Sequence, residues 1–174
     1  MAVRNAMQAM EDTRQACLIG IPTAGTPLAQ AGARESLIDN HPFVNQDDKR
    51  VICHRLMREF IKDHGAHQTW VNGEPDPAKH CYWLVDNVAT NGVSKLEAME
   101  KLRADGYPSI EEIPVLVFVD RQQGAVQRLE TAGFKKIVVV YNLLDITFAL
   151  GELYLWPKEA VKGVEEEIKA HQFQ

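Results

Sequence analysis

The chain has 174 residues, of which 45% are hydrophobic and 25% charged, a composition typical of a soluble globular protein with a sizeable buried core. Residues 1–174 are therefore expected to form a single domain. The formal net charge of -5 argues against a broad nucleic-acid-binding surface, because such a surface must neutralise many phosphates, but it does not exclude a local basic pocket for a small phosphorylated ligand.

The cysteine content and the N-terminal residues indicate in which cellular compartment the protein is expected. Cys17, Cys53 and Cys81 are too few and too scattered for a disulfide framework, so reduced thiols in the cytoplasm are expected. The first residues carry charges throughout and lack the apolar centre of a secretory signal. Residues 143–156 are the most apolar late segment, but they fall short of the roughly 20 residues that a bilayer needs. We expect them to form a buried or dimer-facing helix, and we expect no membrane partner.

In chain order, the first half of the sequence alternates helical and strand patterns. Residues 1–14 have apolar side chains at near-helical spacing, and residues 16–21 resemble a short buried strand. A turn then leads into a predicted helix over residues 28–38, and residues 51–57 are predicted to form a second strand. Residues 58–80 contain two glycines, two prolines and mixed charges, which is typical of a long mobile loop.

The second half continues the alternation up to a charged C-terminal helix that begins near Pro157. Predicted helices end on Gly106 and Gly133, each a residue type that commonly follows a helix. Continuous apolar strands between helices indicate an α/β fold with a mostly parallel central sheet and helices on both faces. The predicted strands are 81–86, 113–120 and 135–141, and the helices between them are 94–106 and 122–133.

The turn that follows the strand at residues 81–86 has the chemistry of a phosphate site. In open parallel sheets, ligands bind beyond the carboxyl ends of strands, where backbone amides and helix N-termini are exposed. Backbone N–H groups of this turn and the hydroxyls of Thr90 and Ser94 could hold one phosphate, and Asp86 and Asn87 could bind vicinal hydroxyls of a sugar. The alternative is an ordinary strand-turn-helix junction with Ser94 as the helix cap.

Four segments resemble one known family in their order and spacing. Residues 82–106, YWLVDNVATNGVSKLEAMEKLRADG, resemble the phosphoribosyl-diphosphate (PRPP) signature of type I phosphoribosyltransferases. LMREFIKDHG at 56–65, VFVDRQQGAVQRLETAG at 117–133 and IGIPTAGTPLA at 19–29 resemble the mobile loop, the late strand and the diphosphate turn of orotate phosphoribosyltransferases. The resemblance covers roughly residues 17–145, and the family's N-terminal hood has little counterpart in this sequence.

The resemblance implies transfer of ribose 5-phosphate from PRPP to orotate in pyrimidine nucleotide (UMP) biosynthesis. Arg121 resembles the residue that faces the orotate ring, and its alternative role is a salt bridge that tethers the strand end. Thr90 is also expected near the base. The implied binding residues are Thr23, Ala24 and Gly25 for diphosphate and Asp86, Asn87, Val88, Ala89, Thr90, Asn91, Gly92, Val93 and Ser94 for ribose 5-phosphate.

Catalysis by the resembled enzymes is mainly electrostatic, because diphosphate leaves with negative charge. The resemblance assigns Arg58, Lys62 and His64 to a loop that closes over the diphosphate, typically of a neighbouring subunit in a homodimer, and it adds Asp86 at the ribose. Mg²⁺ is expected on the diphosphate, with Asp86 as the candidate for direct coordination. Without the flanking motifs, the loop cations would be interpreted as solvated surface charge.

Several positions depart from the family pattern and keep alternatives open. Asn87 replaces a second acid, Ala24 replaces a common lysine and Glu59 replaces a common cation, and each change weakens anion or metal binding. A non-catalytic or weakened relative that binds PRPP or a nucleotide as a regulator or partner subunit is therefore the alternative function. A zinc site is a third interpretation, although its candidate ligands have no compact zinc spacing: Cys53, His54, His64, His67, His80 and Cys81.

Overall fold

The structure is a computed structural model that describes residues 14–40, 51–60, 64, 69–74, 76–104, 106–107 and 109–171. The helix predicted for residues 1–14 lies outside the described residues except for Arg14. No helix within the described ranges is long and apolar enough to cross a membrane.

A five-stranded parallel sheet forms the centre of the fold, as the sequence predicted. Its strand order is β2-β1-β3-β4-β5, and every neighbouring pair is parallel. The strand β3 is the longest and the central one, because apolar residues continue through it without a polar interruption until Asp86. The strands are β1 (Gln15–Gly20), β2 (Cys53–Leu56), β3 (His80–Ala89), β4 (Val115–Asp120) and β5 (Ile137–Asn142).

Within the described residues, five α-helices connect and flank the strands. Helices α2 and α3 end at the predicted places, where the N–H of Tyr107 donates to the carbonyl of Leu102 and the N–H of Phe134 donates to that of Leu129. A 3₁₀ turn at Ile110–Glu112 precedes β4. The helices are α1 (Gly25–Asn40), α2 (Val93–Ala104), α3 (Ala125–Thr131), α4 (Leu143–Glu152) and α5 (Lys158–Ala170).

The core lies on both faces of the sheet, and the alternation along β3 shows how it is divided. Tyr82 and Leu84 pack into one cluster with Met99 of α2 and Leu129 of α3. Trp83, which is fully buried, packs with its strand neighbours into a second cluster on the opposite face, where α1 lies. Successive strand side chains point to opposite faces, so β3 is covered by helices on both sides.

The segment after β2 is more ordered than the sequence predicted. Met57 and Trp70 form an antiparallel bridge, and the N–H of Arg58 donates to the carbonyl of Thr69 at 2.8 Å. Trp70 is almost fully buried and lies against Tyr107. The prediction of one irregular stretch over residues 58–80 was therefore too long, because its second half pairs back onto the edge of β2.

Residues 143–156 were expected to form a buried or dimer-facing helix, and the structure does not support full burial; the dimer-facing alternative stays a prediction. Helix α4 ends at Glu152, and Thr147 is its one side chain that the structure places in full burial. Phe148 is half exposed and Tyr154 almost fully exposed. Apolar composition alone cannot distinguish a core helix from a helix that covers a sheet edge. The solvated helix predicted from Pro157 onward is present as α5.

Candidate active site

Three turns meet at the edge of the sheet where its strands end. The turn after β1 is tied to β3 by the N–H of Ile21, which donates to the carbonyl of Val85 at 2.9 Å. The turn after β4 is tied to β3 by the N–H of Arg121, which donates to the carbonyl of Ala89, also at 2.9 Å. Because ligands of parallel sheets bind at this edge, the predicted site residues from three separate motifs lie around one region.

The turn between β3 and α2 presents open backbone donors. The N–H groups of Thr90, Asn91, Gly92 and Ser94 have no hydrogen-bond partner within the described part of the chain. The side chain of Asn91 accepts from the N–H of Val93 at 3.2 Å, so this one donor is already capped. Four open donors at a helix N-terminus form a receptor for an anion.

Two local features set the shape of this turn. Gly92 has a φ of 77°, in the left-handed region that favours glycine. Helix α2 begins at Val93, so Ser94 is its second residue and not its cap. The Ser94 hydroxyl lies 3.4 Å from an oxygen of Asp86. Ser94 is therefore not the helix cap that the alternative interpretation assigned to it.

Asp86 forms a buried ion pair with Lys95. The ammonium of Lys95 lies 2.5 Å from Oδ2 of Asp86, and the two side chains are 2% and 10% exposed. The other oxygen, Oδ1, accepts from the N–H of Asn87 at 2.8 Å. Both carboxylate oxygens of Asp86 are therefore engaged within the protein, whereas Asn87 beside it is half-buried and accessible.

Sequence analysis missed Lys95, although a signal for it was present. The buried side chains of α2 are Lys95, Ala98, Met99 and Leu102, which is the spacing of one helix face. A lysine in register with three apolar core residues must bury its charge, and a buried ammonium requires a partner. Asp86, which precedes the turn, was the acid in position to supply one.

The resemblance implies Mg²⁺, and Asp86 was its candidate ligand. The geometry does not fit direct coordination, because both oxygens already accept hydrogen bonds and the pair with Lys95 neutralises the carboxylate. Within the described ranges, no three His, Cys, Asp or Glu side chains form a group that could hold a metal ion.

The residues considered as zinc ligands lie in environments that differ from a zinc site. Cys17 and Cys53 face each other across β1 and β2, and hydrogen bonding to Cys53 together with burial raises the pKa of the Cys17 thiol. Burial lowers the pKa of both His54 and His80. His67 lies outside the described residues. Of the described members of the set, Cys53, His54, His80 and Cys81 are thus strand residues, and His64 is exposed in the loop.

The turn after β1 approaches β3 closely. A side chain at Gly25 would overlap the carbonyl oxygen of Val85, so only glycine allows this approach. The peptide bond between Pro22 and Thr23 is cis. Thr23 and Ala24 are exposed at the tip of the turn, where the sequence predicted contact with diphosphate.

Of the three cations predicted for the loop, the structure describes Arg58 and His64. Arg58 is half-buried at the base of the loop, and its Nε atom is buried without a hydrogen-bond partner. Lys101 of α2 supports this base by donating to the carbonyls of Arg58 at 3.3 Å and Glu59 at 2.6 Å. His64 is exposed, and Lys62 lies outside the described residues.

A cleft of about 230 Å³ connects the turn after β1 with the turn after β3. Its lining includes Pro22 on one side, Ser94 on the other, and Met57 and Lys101 at the base of the loop. The turn after β1, the base of the loop and the turn after β3 therefore open into the same space.

At the other end of the site, Arg121 forms an ion pair with the C-terminal helix. Its Nη2 atom lies 2.7 Å from an oxygen of Glu167 in α5, and the two side chains are 37% and 51% exposed. The adjoining turn is held by the N–H of Leu144, which donates to the side chain of Gln122 at 3.2 Å. The alternative role predicted for Arg121, a salt bridge at the strand end, is thus present, and among the described residues only the Nη2 atom of its guanidinium has a hydrogen-bond partner.

Comparison with curated proteins identifies relatives of one kind, although no family model matches the chain. An orotate phosphoribosyltransferase of Rhodopseudomonas palustris is 32% identical over 129 residues, which are 72% of this chain and 62% of the relative. One from Saccharolobus solfataricus is 33% identical over 152 residues, or 87% of this chain and 65% of the relative. The chain therefore spans a little under two thirds of the relatives that it matches.

Solved structures agree in fold. The crystal structure of orotate phosphoribosyltransferase from Aeropyrum pernix superposes with a TM-score of 0.59 at 26% identity, covering 90% of this chain and 76% of that one. The Mycobacterium tuberculosis orotate phosphoribosyltransferase in complex with PRPP has a TM-score of 0.54 at 21% identity, and it covers 83% of this chain and 72% of that one.

Proposed function

We propose that this chain, which belongs to the type I phosphoribosyltransferase family as a homologue of its orotate phosphoribosyltransferases, transfers ribose 5-phosphate from PRPP to orotate. The products would be orotidine 5-phosphate and diphosphate, on the route to UMP. The observation that carries the proposal is the set of four open N–H donors in the turn between β3 and α2, opposite an arginine at the end of β4.

The 5-phosphate binds in that turn. The N–H groups of Thr90, Asn91, Gly92 and Ser94 point at one anion, and the N-terminus of α2 adds its partial positive charge. The Ser94 hydroxyl donates a further hydrogen bond. Asn87 precedes this turn and hydrogen-bonds a ribose hydroxyl through its amide, since Asp86 is held by Lys95.

Arg121 selects the base. Only its Nη2 atom is used by Glu167, so a carboxylate or ring carbonyl of orotate has further guanidinium donors to bind. An anionic base suits a cation at this position. Thr90, on the neighbouring turn, lies at the side of the phosphate site that faces Arg121, because the N–H of Arg121 is bound to the carbonyl of Ala89.

Diphosphate leaves through the cleft beside Pro22 and Ser94. Breaking the bond from C1 to oxygen puts positive character on the ribose and negative charge on diphosphate, so cations near the leaving group accelerate the step. Thr23, Ala24 and Gly25 offer backbone contacts, and Arg58, Lys62 and His64 supply the charge. Mg²⁺ would enter with the diphosphate, and no described residue of the chain is assigned to it.

The proposal includes a cytoplasmic homodimer in which the loop after Arg58 reaches the site of the neighbouring subunit. What supports it is the loop's composition, with Lys62 and His64 at its distal part, together with the position of Arg58 at its base. Sedimentation equilibrium would test the dimer. Complementation between a Lys62→Ala chain and an Arg121→Ala chain would test loop sharing, because mixed dimers would regain one intact site.

The activity is tested by measuring diphosphate released from PRPP in the presence of orotate and Mg²⁺. We expect release that depends on orotate, together with formation of orotidine 5-phosphate detected by chromatography. Reactions without orotate and with uracil in its place are the controls. PRPP binding without any orotate-dependent product at high protein concentration would instead support the alternative, a non-catalytic relative that binds PRPP as a regulator or partner subunit.

A further inference from the structure

Lys95 lies directly beneath the proposed phosphate turn and uses all three of its ammonium donors there. Its Nζ atom contacts Oδ2 of Asp86 at 2.5 Å, the carbonyl of Val88 at 2.7 Å and the hydroxyl of Ser94 at 3.3 Å. The three acceptors come from the end of β3 and from the first turn of α2. One buried cation therefore connects the two sides of the turn.

Stability alone does not explain a lysine at this position. Desolvation of two charges commonly offsets their attraction, so a buried ion pair is often no better than apolar residues of similar size. The remaining residues on this face of α2 are the apolar Ala98, Met99 and Leu102. A fourth apolar residue would complete the core without burying any charge.

We infer that Lys95 is a positioning residue for the phosphoryl group of the substrate, an inference that rests on the proposed function. It holds Val88 and Ser94 at a fixed separation, so the open N–H groups between them converge on one point. It also donates to the Ser94 oxygen at 3.3 Å. The Ser94 hydroxyl in turn donates to Oδ2 of Asp86 over a long 3.4 Å, and because Lys95 already satisfies that oxygen, the hydroxyl can turn to donate to the phosphate.

Lys95 has a second, electrostatic effect on the same turn. Without it, the carboxylate of Asp86 would place an uncompensated negative charge next to the site of a dianion. The ion pair removes that repulsion, and the low exposure of both side chains limits screening by salt. The affinity for ligands that carry a phosphate should therefore depend on Lys95, whereas the affinity for orotate, which binds at the Arg121 end, should not.

The test compares the wild-type chain with a double variant, Asp86→Asn with Lys95→Met, which removes both charges and keeps side chains of similar size. Ribose 5-phosphate binding is measured by calorimetry, and KM is measured for PRPP and for orotate. We expect cooperative unfolding to persist, ribose 5-phosphate affinity and the KM for PRPP to worsen about tenfold or more, and the KM for orotate to stay within about twofold.

The control pair is Glu111→Gln with Lys135→Met. Its ion pair has the same separation of 2.5 Å, but the two side chains are 54% and 69% exposed. Glu111 precedes β4 and Lys135 precedes β5, so the pair lies where the strands begin, away from the turn. This double variant should bind ribose 5-phosphate like the wild-type chain. If the Asp86/Lys95 double variant does not fold, Lys95→Gln serves in its place. Its neutral amide has two donors instead of three, so it can neither neutralise Asp86 nor hold Asp86, Val88 and Ser94 together, and ribose 5-phosphate affinity should still fall.

The outcomes separate the inference from the proposed function. A folded Asp86/Lys95 variant, or Lys95→Gln variant, that binds ribose 5-phosphate as tightly as the wild-type chain would overturn the positioning role and leave the proposed function intact. A wild-type chain that fails to bind ribose 5-phosphate at millimolar concentration, on the order of the weakest affinity worth calling specific, would overturn both.

Discussion

The two ends of the proposed site each contain one ion pair, and the two pairs differ in burial more than in distance. Lys95 and Asp86 lie 2.5 Å apart with side chains 2% and 10% exposed, whereas Arg121 and Glu167 lie 2.7 Å apart with side chains 37% and 51% exposed. The first pair is local, nine residues apart in sequence, and the second joins residues that are 46 apart.

The difference in burial indicates different roles for the two ion pairs. A buried pair that loses one partner leaves an uncompensated charge in the protein interior, so it is held in one arrangement. An exposed pair contributes little to stability and is readily exchanged for another carboxylate or for water. Under the proposed function, the buried pair would keep the phosphate-binding turn in one geometry, and the exposed pair would let Glu167 exchange for the carboxylate of the base.

The largest expected effect comes from breaking the buried pair on one side only. Lys95→Met should lower the free energy of unfolding by about 3–5 kcal/mol, because Asp86 stays buried and charged. Urea denaturation followed by circular dichroism measures this loss. A change below about 1 kcal/mol would show that Asp86 relaxes to solvent easily, and the contrast between the two ends would disappear.

The second-largest effect is expected from removal of the exposed cation, Arg121. Arg121→Ala should reduce kcat/KM for orotate about 10- to 100-fold, because charged hydrogen bonds to the base are lost. PRPP binding should change much less, since the arginine faces the base end. Steady-state kinetics at saturating PRPP measures the effect, with Arg103→Ala on the exposed side of α2 as the control. Equal losses for both substrates would contradict the assignment of Arg121 to the base.

A smaller gain is expected where the chain departs from its family. Asn87→Asp restores a second acid next to the ribose, and unlike Asp86 it would not be neutralised by Lys95. Affinity for PRPP or turnover in Mg²⁺ should rise roughly threefold or more. Titration of the reaction with Mg²⁺ measures the change. An unchanged or lower value of both quantities would indicate that the amide at this position is sufficient.

The smallest effect is predicted for the partner of Arg121. Glu167→Gln should change the free energy of unfolding by less than about 1 kcal/mol and should lower the KM for orotate about two- to threefold, because a competing carboxylate is removed. Thermal unfolding and orotate titrations measure these quantities. A rise in the KM for orotate would mean that Glu167 orients Arg121 for the substrate instead of competing with it.

Prediction from the sequence was most successful where the signal lies within a short window. Apolar runs identified all five strands of the described sheet, and Gly106 and Gly133 marked two helix ends, because local periodicity and turn chemistry determine those features. The sequence left open whether residues 143–156 are buried or dimer-facing and missed the pairing of residues 69–71 with residues 56–58, since each depends on which distant element lies alongside.

The sequence by itself determined the alternation of strands and helices, the parallel sheet and the small, hydroxylated turn at its edge, because these follow from the order of neighbouring residues. Tertiary structure decided how the charges pair. Lys95 meets Asp86 beneath the turn only because α2 packs its apolar face on the sheet, and Glu167 meets Arg121 only because α5 returns to the end of β4. Which charged residues form an ion pair depends on their distance in space and on their burial, and the linear sequence pattern specifies neither.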